Sequence, residues 1–200
     1  MSIISNCEVY GLEQSIKRSK YPMAVDVDKC TSEITERTRQ LANCNTGEGH
    51  DNFLKGIVVQ FDLSFTIKAW TEAERYHFFE FISSQSTMHR ITRLDVEKQC
   101  INYVRPKAIE NLNECIADYN ANPTPENYLV VVYNVPVGFR LTAGMTTNYQ
   151  QLKTIYQQRK THRLPEWREF CRWCESLPHS EFITRKGGQN GESNTNGTSS

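Results

Sequence analysis

The chain has 200 residues and a mass of 23.2 kDa, with 38% hydrophobic, 10% aromatic and 23% charged residues. Such a composition can bury a core, which excludes wholesale disorder, and no apolar run approaches the ~18 residues of a membrane span. Lys+Arg and Asp+Glu each total 23, a net charge of zero, which argues against retention on nucleic acid by bulk charge.

The start, Met1–Cys7, lacks a basic flank followed by an apolar stretch, so no secretory signal is expected and the chain reads as cytoplasmic. Asp28 predicts the cap of a helix running to about Ala42, with Cys30, Ile34, Arg37 and Leu41 on one face. Cys44–Asn52 is turn-rich and reads as loop. Ile57, Val59, Phe61, Leu63, Phe65 and Ile67 then alternate with more polar residues, predicting a long strand with one buried face. Thr71-Glu-Ala-Glu74 has the form of a capping box and predicts a helix through TEAERYHFFEFISS. Pro106 predicts the start of another, striped by Ile109, Leu112, Ile116 and Tyr119. Asn122-Pro-Thr-Pro125 breaks the chain, and Tyr128–Val135 predicts a second, central strand.

A helix is predicted from about Thr142 to His162, with Met145, Tyr149, Leu152 and Tyr156 along one side. Pro165 opens a last one, where Trp167, Phe170, Cys174 and Leu177 recur at helical spacing. Strands among helices in irregular order predict an α+β fold, a mixed or antiparallel sheet packed with helices. The expected organisation is a single domain over 1–185 and a disordered tail over 186–200, rich in Gly, Ser, Asn and Thr.

The charge is uneven. Arg140–Arg172 carries seven Lys/Arg against Glu166 and Glu169, a basic patch suited to a small phosphorylated ligand or, more plainly, a set of solvated helix faces. Seven cysteines without a secretion signal predict reduced thiols. Cys171 and Cys174 form a C-x-x-C without a second pair, so no metal site is expected. The five histidines form no helical zinc pattern, and no phosphate loop or nucleophile elbow is present. Ser83-Ser-Gln-Ser-Thr-Met-His-Arg90 combines hydroxyls, an amide and a guanidinium that can hold a phosphate, or forms a polar helix end. Gln150, Gln157 and Lys153 or Lys160 can share one helix face directed into a cleft, or lie on a wet surface.

In element order the chain resembles the flavin-dependent thymidylate synthase family over about residues 10–176. Val135-Pro-Val-Gly-Phe through Asn148-Tyr-Gln-Gln-Leu152 is similar to that family's Leu-Pro turn and helix with Asn-x-Arg-x-Leu. Gln158, Arg159, His162 and Pro165-Glu-Trp-Arg168 are similar to its Leu-Arg-Leu, His and Trp-Glu-x-Arg. Phe65-Thr-Ile-Lys68 and Arg75 resemble the approach to its signature, and Ser86 its Ser-x-Arg-Tyr serine. Phe79-Glu80-Phe81 stands where the family has Arg-His-Arg, Gln150 where it has an Arg, and Arg90 lies two places late.

The resemblance implies reductive methylation of dUMP, or a related pyrimidine nucleotide, to dTMP. FAD would be the cofactor, with NADPH and methylenetetrahydrofolate as co-substrates, in a homotetramer. Ser86, Arg90, Asn148, Gln150 and Arg159 would bind the nucleotide; His50, Arg75, His77 and His162 would lie near the flavin. No catalytic side chain is assigned, because in such enzymes the flavin carries the chemistry. Loss of the signature cations makes a catalytically inactive nucleotide-binding or interaction protein on the same fold the alternative. Direct nucleic-acid binding through the basic C-terminal helices is a third, disfavoured by the neutral charge.

Overall fold

The computed structural model describes residues 2–45 and 47–184; the predicted tail lies outside them. In chain order the elements are β1 (Ile4–Tyr10), α1 (Leu12–Arg18), α2 (Glu36–Ala42), β2 (Val58–Thr66), α3 (Ile67–Ala73), β3 (Phe79–Ser84), α4 (Thr87–Arg90), α5 (Val96–Gln99), α6 (Pro106–Ala121), α7 (Pro125–Tyr133), β4 (Arg140–Asn148), α8 (Tyr149–Arg159), α9 (Pro165–Ser176) and α10 (Glu181–Thr184). The strands form one sheet in the order β1-β2-β4-β3, every neighbour antiparallel. The predicted α+β class is therefore the observed one.

Period-two alternation decides the faces of this sheet. Val59, Phe61, Leu63 and Phe65 of β2 point to one side with Ala143 and Met145 of β4 and Phe79 of β3, all buried. On that side they meet α8, α9 and α10, with Phe61 against Phe170 and Trp173 at 6.1 and 4.6 Å between ring centroids. The other face is polar: Thr142 Oγ1 donates to Ser64 Oγ at 3.1 Å, and Asn6 Nδ2 donates to Asp62 Oδ2. A second apolar cluster, Ile91, Val96, Leu112, Val131 and Phe139, lies under α5, α6 and α7. Leu141 packs against both clusters.

Four predicted elements are corrected. The 71–84 helix is instead the end of α3 followed by β3. Thr66, not Thr71, caps α3 by accepting from Ala69 N at 3.1 Å, and Thr71 Oγ1 donates within the helix to Lys68 O. Phe78 then takes a φ of 58°, which ends any helix, and the Phe-Glu-Phe alternation pairs with β4. The predicted strand at 128–135 is helix α7: Thr124 caps it through Asn127 N at 3.2 Å and Pro125 fills its first turn, outweighing the β-branched run. The 142–162 helix divides at Asn148, which closes β4 and caps α8 by accepting from Gln151 N at 2.9 Å. The 28–42 helix shrinks to α2, because the reciprocal Thr35–Thr38 capping box starts it at Glu36.

The strand predicted over 57–67, the helix at Pro106 and the helix at Pro165 stand where expected. Among the described residues no helix is long and apolar enough to cross a membrane. All seven cysteines are free. Cys171 and Cys174 are buried in α9, and burial pushes the Cys171 thiol up to about 12 and Cys174 well above its ordinary value. These thiols behave as core packing rather than as nucleophiles.

Gly11, at φ 73°, turns the chain from β1 into α1, and a Cβ there would collide with the Gly56 carbonyl oxygen. Gly11→Ala should therefore cost at least about 1–2 kcal/mol, read as a fall in Tm of several degrees by calorimetry. An unchanged Tm would show that the β1–α1 corner does not bear on stability.

Candidate functional site

The residues singled out by sequence fall at three places, two of them the ends of α8. At its C-terminal end Arg159 is 14% exposed at its side chain. Its Nε donates to Tyr76 Oη at 2.7 Å and one terminal nitrogen donates to Glu72 Oε2 at 3.0 Å. The guanidinium also lies over the Trp167 ring at 4.9 Å and the Tyr76 ring at 5.4 Å. Tyr76 Oη in turn donates to Gln158 Oε1 at 2.9 Å. Arg75 and His77, both exposed, flank Tyr76 in the chain, so the turn after α3 and the end of α8 meet here.

Glu72 is the hub. Its Oε2 also accepts from Trp167 Nε1 at 3.2 Å and lies 3.3 Å from His162 Nε2, while Oε1 pairs with Lys68 at 3.0 Å. Burial alone would raise this carboxyl, but the Lys68 hydrogen bond and the His162, Lys68 and Arg159 charges outweigh it and hold Glu72 below its ordinary value. The Leu164 N–H donates to His162 Nδ1 at 3.2 Å, and the Arg159 nitrogen that donates to Glu72 also lies 2.9 Å from His162 Nε2, so Arg159 and Glu72 both meet the ring at Nε2. Burial lowers the His162 value, and the Arg159, Lys68 and Arg168 charges lower it further against the pull of Glu72. One terminal nitrogen of Arg159 makes no hydrogen bond among the described residues, so the guanidinium keeps a donor for an incoming anion.

At the N-terminal end of α8, Asn148 is occupied as the helix cap. Gln150 Nε2 donates to Asp51 Oδ1 at 3.0 Å, and Lys153 donates to Asp51 Oδ2 at 2.9 Å and Ala42 O at 2.7 Å. Lys153 is 6% exposed, so these contacts pin the 42–51 loop to α8. They turn Gln150 toward that loop, while Gln157 is solvent-exposed. His50, also exposed, lines a cavity of about 610 Å³ with Arg18, Lys20, Arg37 and Thr35.

Ser86 and Arg90 form the third place, beyond the far end of β3. The Arg90 side chain is exposed and unpaired among the described residues, and Tyr128 Oη fastens the segment by donating to Met88 O at 2.9 Å. The 11-residue α8 separates Asn148 from Arg159 by about 16 Å. The neighbouring Gln85 pairs with Thr142, about 20 Å of strand away from Asn148. Within one chain, then, Arg159 and His162 come together, with Arg75 and His77 beside them; Asn148, Gln150 and the His50 loop form a second group, and Ser86 with Arg90 a third.

Glu72, Tyr76, Lys153 and Asp51 carry these clusters and were not singled out as site residues from the sequence, Lys153 appearing only as one of two choices for a helix face. Glu72 sat inside an apparent capping box. Its partner Arg159 is 87 positions away, a separation no local pattern bridges.

Both titrations at the hub act in one direction. His162 and Glu72 bind a proton less readily folded than unfolded, so stability falls as pH drops below about 6.5 and again below about 4.5, their ordinary values. The Tm of the chain should decline from pH 7 to pH 5, and His162→Asn should flatten that stretch; an equal slope in the variant would remove His162 from the network.

No protein-family model matches the sequence, and no curated protein matches it. Solved structures do match in shape. A flavin-dependent thymidylate synthase ThyX from Helicobacter pylori, complexed with FAD and dUMP, superposes with a TM-score of 0.71 at 12% identity, covering 92% of this chain and 98% of that one. A second Helicobacter pylori ThyX structure with FAD and dUMP gives 0.70 at 12% identity, with 90% and 96% covered. A UMP/dUMP methylase, PolB, from Streptomyces cacaoi, bound with 5-Br dUMP, gives 0.63 at 14% identity, with 94% and 97% covered. The chain is a structural relative of the flavin-dependent thymidylate synthases, and their fold is its fold.

Proposed function

We infer that this chain binds a flavin and a pyrimidine nucleotide and methylates the pyrimidine ring of dUMP or a close analogue. The observation that carries the reading is Arg159, rigidly oriented by Glu72 and Tyr76 yet retaining a free donor, in a fold whose solved relatives are bound to FAD and dUMP. Arg90 and Ser86 supply the second set of phosphate-binding groups. They stand about 20 Å along the sheet from Asn148 and Gln150, a span that suits a site shared between copies. A homotetramer completes the proposed site in this reading.

The residues present suit a flavin in kind. Phe78, Phe81 and Ile82 are large exposed apolar groups on and beside β3, and Phe81 packs on Trp70 at 4.8 Å, which offers a flat ring a surface. Arg75, His77 and Arg90 are exposed donors for phosphate. A bound reduced flavin would supply hydride, with NADPH and methylenetetrahydrofolate as the proposed co-substrates. The chain's own residues bind, orient and exclude water. Arg159 holds an anionic oxygen, and its rigid mounting removes the entropy of ordering a long side chain.

The alternative is a nucleotide-binding protein that has lost catalysis. Its specific support is Glu80, an exposed carboxylate accepting from Phe78 N, which repels what cations at 79–81 would attract.

Titration of the full chain with FAD and with dUMP tests both readings. The methylase reading expects a yellow protein, or uptake of added FAD, and dUMP binding weakened roughly tenfold or more by Arg90→Ala and Arg159→Ala. Lys98→Ala is the control, since Lys98 is exposed and, among the described residues, pairs with Asp95 alone. Nucleotide binding without flavin uptake favours the alternative. Equal and negligible effects of all three substitutions would refute the site assignment.

A further inference from the structure

Lys68 pairs with Glu72 and also lines a separate groove of about 550 Å³, within the roughly 300–1,000 Å³ typical of small-ligand sites. Helices α6 and α9 both begin at this groove, each with a proline in its first turn and neither capped by a side chain. Their first N–H groups thus leave partial positive charge at the groove. Arg105, Arg163 and Arg168 join Lys68 around it. Arg168 is held by the His162 and Arg163 carbonyls at 2.6 and 2.8 Å, whereas the Arg105 and Arg163 guanidiniums have no partner among the described residues.

A second observation points to a ligand. Glu166, in the first turn of α9, is only 3% exposed. Its Oε1 accepts from Thr66 Oγ1 at 2.8 Å, but its Oε2 is buried without any donor. A neighbouring hollow of about 420 Å³ shares Ile101, Tyr103, Pro165 and Glu166 with the groove and is lined by Arg140, whose Nε is buried and equally unpartnered. A buried carboxylate oxygen facing no donor favours a ligand that brings one. Tyr103, with a freely accessible ring, and Leu164 form apolar walls.

We propose that this groove binds a phosphate monoester carried on an aromatic heterocycle with a ring N–H. The phosphate sits at the starts of α6 and α9 between Arg105 and Arg163. The ring packs between Tyr103 and Leu164, and its N–H donates to Glu166 Oε2. This site uses neither Arg90 nor Arg159, so it stands or falls apart from the methylase reading.

Calorimetry on the full chain tests it, with uridine 5′-monophosphate, its N3-methyl derivative, uridine and inorganic phosphate as probes. The expected result is a class of uridine monophosphate sites that Arg105→Ala with Arg163→Ala weakens at least tenfold while FAD uptake is unchanged. N3-methylation should weaken binding at that class in the native chain and make little difference in Glu166→Gln, and uridine or phosphate alone should bind much more weakly. Three outcomes would each overturn the groove: an isotherm unaltered by the double substitution, phosphate binding as tightly as the nucleotide, or equal binding of the N3-methyl compound to the native chain. Loss of binding only in Arg90→Ala and Arg159→Ala would count for the methylase site and against this one.

Discussion

The Glu72 carboxylate ties together three segments that the chain delivers separately: α3 through Glu72 itself, the end of α8 through Arg159, and the start of α9 through His162 and Trp167. A half-buried ion pair is a poor source of stability by itself, because desolvation cancels most of the Coulomb gain. Here the carboxylate accepts several donors at once and the guanidinium lies against two neighbouring aromatic rings, so few polar atoms are left unpaired. The result is positional. The end of α8 is fixed relative to the turn carrying Arg75 and His77, which is the property a binding site needs.

The same logic appears at the other end of α8. Lys153 is deeply buried, and it is tolerable there because Asp51 and the Ala42 carbonyl satisfy it. Gln150 joins the same carboxylate. A loop rich in turn residues thereby becomes part of the structured wall that carries His50. The two ends of α8 thus act as two separately locked platforms. Any ligand touching both must be longer than a single nucleotide, or must be met by groups from elsewhere.

Strong periodicity made β2, α6 and α9 legible, since six alternating apolar residues or an unbroken 3.6-residue stripe admit one reading. The failures came where period and cap disagreed. Tyr128–Val135 looks like a strand by composition, yet Thr124 and Pro125 start a helix whose apolar surface is used against α6, with Tyr128 on Tyr119 at 5.0 Å between ring centroids. The 142–162 helical pattern places Asn148 mid-helix, whereas its side chain marks the boundary between β4 and α8. β1 escaped notice because Ile4–Tyr10 is largely exposed and alternates weakly. At the site, Arg159 and His162 were legible as a basic helix end, but Glu72 was not, because charge pairing across 87 positions leaves no local trace.

The Phe79-Glu80-Phe81 stretch shows how the strand divides fold from function. Phe79 pairs opposite Thr147 and Phe81 opposite Met145, both on the helix-covered side of the sheet. Phe79 is buried against Phe61 and Phe170 at 6.2 and 5.7 Å between centroids. A guanidinium there would lose its hydration without a carboxylate in reach, an expense of several kcal/mol, so in this packing the aromatic at 79 is demanded by the core. Glu80 faces the polar side, opposite Thr146, and no core contact requires a carboxylate. Phe81 is half exposed over Trp70. Of the three positions, 80 and 81 are therefore the ones at which side-chain chemistry is free to answer to a ligand, and both are left on an edge strand whose outer side carries no neighbouring strand among the described residues. The residues present leave that edge apolar and weakly acidic. In the readings proposed above, the cations for an anionic ligand are Arg159, anchored by Glu72 at the end of α8, and the arginines at the starts of α6 and α9.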